Sequence, residues 1–170
     1  MNKKAVSRLS WKRLLREECG GTVVEFAVSA VVLFASFFGV MDFARALYVY
    51  HFVSYAAQEG SRYAMVRGND WSGACASATS YGCTASSANI TSYVQGLATM
   101  GISSGSITVT PSWPQLNADN SSPGCNTTPT QNSQGCLVKV KVSYAFHFIM
   151  PFLPGSSLNM TATSEQPIAY

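Results

Sequence analysis

The sequence predicts an α+β chain, with one long N-terminal helix packed on a small antiparallel three-stranded sheet. Three observations predict it. Phe26 to Met41 is a run of sixteen residues without a charge, and the apolar spacing continues beyond it to Met65. No proline occurs before Pro111, so nothing breaks a helix there. Near the C-terminus Val138, Val140, Val142, Tyr144, Phe146 and Phe148 alternate with Lys139, Lys141, Ser143 and His147, the period of a half-buried strand.

The helix is expected from Thr22 to Arg67. Phe43, Leu47, Tyr50 and residues onward to Met65 continue an apolar pattern, with Asp42, Arg45, Gln58, Glu59 and Arg62 interspersed. Gly60 weakens it by about 1 kcal/mol relative to Ala. Arg67-Gly68-Asn69 supplies a cation and a glycine for its end. Residues 68–84 are loop-like. Residues 85–100 carry Ile90, Tyr93, Val94 and Leu97 at helical spacing, which predicts a second, short helix. Ser106 to Thr110 alternates, and Ile107 and Val109 share a face. Residues 111–135 form a Pro/Ser/Asn/Thr/Gly loop. The strong strand follows, then a turn over Pro151–Gly155, then a last strand from Leu158 to Ser164. Three strands with one apolar face need a cover, and the polar-flanked half of the long helix can supply it.

Charge is distributed unevenly. Only 11% of the 170 residues are charged, and the formal net charge is +3. Six of the eleven basic residues lie in residues 1–16: Lys3, Lys4, Arg8, Lys12, Arg13 and Arg16. From Gly21 onward there are five basic and six acidic residues, which leaves −1. That distribution argues against a nucleic-acid partner. A basic tail before an apolar run instead orients a membrane segment with its N-terminus in the cytoplasm. Thr22 to Met41 is twenty residues with a single acid, Glu25. That is about the ~20 residues needed to cross a bilayer. A secretory signal peptide would place its apolar core before the small-residue site, whereas here the run follows Gly20-Gly21.

The five cysteines divide into Cys19, at the junction of the basic and apolar segments, and four beyond it: Cys75, Cys83, Cys125 and Cys136. With no C-x-x-C pair and two histidines, no metal site is expected. An even number in Ser/Thr/Asn-rich sequence suits disulfides in an oxidising compartment. Of the three possible pairings we favour the local one, Cys75–Cys83 with Cys125–Cys136. Each link would contribute roughly 2.5–3 kcal/mol on the chain-entropy argument.

No cofactor site and no catalytic set are expected. Gly101-Ile102-Ser103-Ser104-Gly105 fits G-x-S-x-G, and Asp119 and His147 follow in hydrolase order. That motif needs a strand–turn–helix elbow, whereas these residues lie between a helix and a short strand. His147 reads as a solvent-face strand residue, and His51 as part of the helix surface. Tyr48, Tyr50, Tyr55 and Tyr63 read as an interfacial aromatic belt merging into a core.

The stretch Gly20-Gly21-Thr22-Val23-Val24-Glu25-Phe26 carries the functional reading. A cut after Gly20 would make Glu25 the fifth residue of the mature chain and leave the apolar helix attached. Type IV prepilins and their relatives share this pattern. Val24-Glu25-Phe26-Ala27, Asp42-Phe43-Ala44-Arg45-Ala46-Leu47-Tyr48 and Ala56-Ala57-Gln58-Glu59-Gly60-Ser61-Arg62-Tyr63-Ala64 together resemble the TadE-like pseudopilins of Tad/Flp pilus systems. The alternating segment from Val138 to Phe146, followed by Pro151, resembles that family's ending. The resemblance covers roughly residues 20–68 and 136–165.

The resemblance implies a minor pseudopilin, cleaved by a prepilin peptidase between Gly20 and Gly21 and acting in pilus assembly or initiation. The implied partners are that peptidase, the major Flp-type pilin, a second pseudopilin, the inner-membrane assembly platform and the lipid bilayer. Residues 1–20 would be a cytoplasmic leader, 21–42 a transmembrane helix and 43–170 a periplasmic domain or part of a surface pilus. Glu25 has two readings. Thr22-Val23-Val24-Glu25 is a capping-box pattern. By resemblance to pilins, Glu25 would pair in assembly with the amine exposed at Gly21 of its own or a neighbouring subunit, and the cap can coexist with that role. The alternative to a pilus role is a plain single-pass anchor carrying a periplasmic domain.

Overall fold

The computed structural model describes residues 19–69, 71, 84–114, 125, 132–149 and 157–169. Their elements run α1 (Cys19–Val66), α2 (Ser87–Gly96), a 3₁₀ turn (Ser104–Ser106), β1 (Ile107–Ser112), β2 (Leu137–His147) and β3 (Ser157–Pro167). The fold is the expected α+β, a long N-terminal helix with a three-stranded antiparallel sheet. The chain divides into two compact units, Met1–Phe43 and Ala44–Tyr170.

In the first unit the described residues are the N-terminal part of α1. The helix already runs at Cys19, three residues before the expected start. Its apolar side chains lie outward: Val24, Phe26, Val32 and Phe34 are each more than half exposed. The hydroxyl of Ser36 donates to the carbonyl oxygen of Leu33 at 2.7 Å, so the helix satisfies this polar group within itself.

The second unit has its own core, built on β2. The sheet order is β1-β2-β3, both pairs antiparallel, with Val109 opposite Val142 and Val142 opposite Ala162. The alternation on β2 turns one row inward. Val138, Val140 and Val142 are fully buried and Phe146 nearly so, while Lys141 and His147 on the other row are exposed. On the solvent side Lys139 pairs with Glu165 at 2.6 Å. Both side chains are over 40% exposed, so the pair contributes at most about 1 kcal/mol.

The part of α1 within this unit covers that inward row. Val49, Phe52, Val53, Ala56, Ala57, Ser61 and Ala64 are buried along one face of the helix. Toward its end this face is made of small residues, and the reason lies at Gly60. A methyl group there would stand 2.7 Å from Val94 Cγ2 and 3.1 Å from Val140 Cγ1. Helix α1, helix α2 and the central strand therefore meet at a point with no room for a side chain. The roughly 1 kcal/mol that glycine costs the helix is offset by the close packing it permits. At the next residue, the Ser61 hydroxyl donates to the Gln58 carbonyl or shares a 2.8 Å hydrogen bond with Ser164 Oγ of β3, so a fully buried hydroxyl is satisfied.

Helix α2 forms where expected, with Ile90 and Val94 buried. Ser86 caps it, its Oγ accepting from the Asn89 amide at 3.2 Å. Strand β3 continues to Pro167, three residues past the expected Ser164. Ser164 and Gln166 are polar at positions that alternate with exposed ones, so hydropathy gave no signal. Pairing with Val140 and Val138 holds them in the sheet.

The far end of the unit is tied by backbone hydrogen bonds and one side chain. The Ala169 amide donates to the Met65 carbonyl, and the Ile168 amide to the Cys136 carbonyl. Gly135, at φ +82°, makes the turn whose amide donates to the Ile168 carbonyl. Asn132 is buried. Its Nδ2 donates to the carbonyls of Arg67 and Ala85, and its Oδ1 accepts from Trp113 Nε1 at 3.2 Å. It thus serves a carbonyl at the end of α1 that the helix leaves unpaired. Cys125 and Cys136 are joined in a disulfide, Cα to Cα 5.5 Å. Cys75 and Cys83 lie outside the described residues.

Three substitutions test this packing. Val140→Lys places an unpaired charge in the core and should destabilise the domain by several kcal/mol, whereas Lys141→Glu on the opposite face should be nearly neutral. Gly60→Val should cost about 1–3 kcal/mol through overpacking against Val94 and Val140. Denaturant unfolding of the detergent-solubilised chain, followed by tryptophan fluorescence, measures all three. Equal losses from Val140→Lys and Lys141→Glu would refute the assignment of faces.

Candidate processing and assembly site

Gly20, Gly21 and Glu25 all lie on α1. The helix contains no acid in its first turn, and Thr22 sits inside it rather than at its start. The capping-box reading of Thr22 and Glu25 is therefore not what forms here: Glu25 lies in the helix body, past the first orphan amides. It is exposed, and its neighbours Val23, Val24, Phe26 and Val28 are 60% exposed or more. A carboxylate surrounded on its helix by outward-facing valines and a phenylalanine gains nothing from the fold itself.

The two glycines contrast with Gly60. A methyl group built at Gly20 or at Gly21 meets no described atom within 4 Å. Both glycines are helical, so neither needs a left-handed backbone. Alanine would fit at both positions and would favour the helix by about 0.5–1 kcal/mol each. Neither packing nor backbone conformation among the described residues calls for glycine there.

Along the same helix, the segment that follows is long and apolar enough to cross a membrane: its mean hydropathy reaches 2.2 over eighteen residues, none of them buried. Beyond it the tyrosines divide. Tyr48, Tyr50 and Tyr55 are about half exposed, whereas Tyr63 is buried and stacked on Tyr93 at 4.4 Å, with the Arg67 guanidinium 4.5 Å from its ring centre. His51 is exposed beside Tyr50.

The serine of G-x-S-x-G gains no catalytic setting. Gly101 turns the chain after α2 at φ +88°, and Ser103 is exposed and leads through the 3₁₀ turn into β1. The order is helix, turn, strand, the reverse of a nucleophile elbow. Asp119 lies outside the described residues, and His147 is exposed at the end of β2. Among the described residues no cluster of His, Cys, Asp or Glu could hold a metal ion.

Residues 20–62 match the family of TadE-like proteins. The resemblance read from the sequence is thus met over these residues, which run from the glycine pair through the apolar segment to the small-residue face at Gly60 and Ser61. No curated protein and no solved structure matches the chain. The TadE-like match points to a protein associated with Tad pili, and the apolar part of α1 is consistent with a single membrane pass. What sequence reasoning missed is the physical reason for the Ala56–Ala64 stretch. Its small residues are those that let α1 approach α2 and β2, and their helical spacing was the available signal.

Proposed function

We propose that this chain is a minor pseudopilin of a Tad-type pilus, processed by a prepilin peptidase between Gly20 and Gly21 and acting in assembly or initiation of the fibre. The observation that carries the reading is the glycine pair. Two consecutive helical glycines that the fold does not need stand five and four residues before an exposed carboxylate, at the head of a membrane-length apolar segment matched to the TadE-like family.

The chemistry follows in three steps. The basic residues before Gly20 hold that end in the cytoplasm, at the membrane face where such a peptidase works. Glycine has no Cβ and readily leaves the helix, so the backbone at Gly20 can be drawn extended into a protease cleft. Cleavage frees an amine at Gly21, four residues from Glu25, which is a rise of about 6 Å along the helix. A carboxylate near the bilayer edge is costly to hold. An amine, on its own chain or on a neighbouring copy, offsets part of that cost, because the attraction is strong where the effective dielectric constant is low. Pairing between neighbours would set the axial register of subunits. The partners on this reading are the peptidase, the major Flp-type pilin, a second pseudopilin, the assembly platform and the bilayer.

Gly20→Ala should leave the leader attached and abolish pilus assembly. Glu25→Ala should still be cleaved and inserted, because the helix only becomes more apolar, yet should fail to support piliation. Mass spectrometry of the membrane-extracted variants, with a piliation assay beside it, reads both outcomes. A mature chain that starts elsewhere than Gly21, or normal pili with Glu25→Ala, would overturn this mechanism. An uncut chain would favour a plain membrane-anchored domain with no pilus role.

A further inference from the structure

Asn132 joins three parts of the second unit that lie far apart along the chain. Its Nδ2 donates to the Arg67 carbonyl at the end of α1 and to the Ala85 carbonyl before α2, and its Oδ1 accepts from Trp113 Nε1 just after β1. Its backbone carbonyl accepts from the Asn69 amide at 2.7 Å, and the Ala85 amide donates to the same Arg67 carbonyl at 2.8 Å. The three side-chain partners stand 65, 47 and 19 residues from Asn132 in sequence. Contacts over such separations cost loop-closure entropy, so the residue that makes them must itself be held in place.

Cys136 follows Asn132 by four residues and is bonded to Cys125 across a separation of eleven. Both cysteines are 4% exposed, and Asn132 is 8% exposed. The turn between Asn132 and Cys136 is tight. The Cys136 amide donates to the Ser133 carbonyl at 3.1 Å, and Gly135 and Cys136 are both tied by backbone hydrogen bonds to the buried Ile168. The Asn132 hub and the disulfide are thus the two ends of one short, packed turn. Burial has a chemical consequence here. Thiol–disulfide exchange needs a thiolate to reach a sulfur atom, and solvent barely reaches either cysteine. Such a bond reacts only when the structure around it opens.

We propose that Asn132 and the Cys125–Cys136 disulfide form one latch: the bond is made while the Asn132 hub is open, and the closed hub then shields it from reductants. In forming the bond, the two thiols pass two electrons and two protons to a disulfide of the surroundings, such as oxidised glutathione, which leaves as two thiols. The bond shortens the loop that carries Asn132 and so favours closure of the hub. The closed hub packs the turn against the bond. The coupling is reciprocal, so loosening either partner must loosen the other. The latch ties the end of α1 to α2 and β1, and it does not depend on the pilus reading.

The test uses the full, detergent-solubilised chain. Dithiothreitol is added under native conditions, thiols are trapped at intervals with N-ethylmaleimide, and peptide mass spectrometry reads Cys125 and Cys136 separately from Cys19, Cys75 and Cys83. Hydrogen exchange is followed on the same samples before reduction. Asn132→Ala should speed reduction of the bond by about tenfold or more, the factor expected when buried groups lose a hydrogen-bond partner. The amides of residues 140–144 should keep their wild-type exchange. Trp113→Phe, which removes one of the hydrogen bonds and keeps an aromatic ring, should give a smaller rise. In the other direction, replacing both Cys125 and Cys136 by Ser should speed exchange at the Asn69 and Ala85 amides and leave 140–144 unmoved. Reduction of Asn132→Ala at the wild-type rate, or unmoved Asn69 and Ala85 amides in the double-serine chain, would overturn the latch. Faster reduction with an equal loss of protection at 140–144 would also overturn it, because the bond would then open only with the whole domain.

Discussion

The structure depends on one close contact: the bare backbone of Gly60 against Val94 and Val140. A sheet with one apolar face must bury it against another element, and here the covering helix face runs from Val49, Phe52 and Val53 into a stretch of small residues. Ala56, Ala57, Gly60, Ser61 and Ala64 are buried on this face, and at Gly60 the helix backbone comes close to Val140, in the fully buried row Val138, Val140 and Val142. Leucines in their place would bury more area in principle but would push α1 away from both α2 and the sheet. The Ser61–Ser164 hydrogen bond fits the same geometry, because short hydroxyl side chains can meet only where the backbones are close.

That contact gives one helix two tasks. Its N-terminal part presents valines and phenylalanines outward and satisfies its own polar groups, as a bilayer requires. Its C-terminal part is the cover of a folded domain. No linker separates the two within α1, which runs unbroken from Cys19 to Val66. The match to TadE-like proteins spans both parts, from the glycine pair to Arg62. The residues that make it recognisable therefore serve two environments: the outward apolar run suits lipid, and the small-residue face suits the sheet.

Much of the fold was legible because its signals are periodic. The alternation from Val138 to Phe148 gave β2 and its buried row, and the spacing of Ile90 and Val94 gave α2. The extension of β3 to Pro167 was hidden because Ser164 and Gln166 are polar on the inward row, held by strand pairing rather than by hydropathy. Asn132 was hidden in a polar loop, since a buried hub that bonds two carbonyls and an indole looks like any loop asparagine until its neighbours are placed. At the candidate processing site the glycines and Glu25 were visible at once. The structure adds that Gly60 is required by packing while Gly20 and Gly21 are not, a distinction that sequence alone could not make because all three carry the same helix cost. The capping-box pattern at Thr22 was a false local signal: the helix had already begun at Cys19.

The central claim is that residues 49–64 are part of the domain's cooperative core rather than a stalk that carries it. Native-state hydrogen exchange of the full chain in nanodiscs tests this most directly, because amides that open only with global unfolding share one free energy. The account predicts that the amides of residues 53–64 and those of β2 exchange at matching, slow rates and respond equally to added denaturant. Fast exchange across residues 53–64 while residues 138–146 stay protected would contradict it.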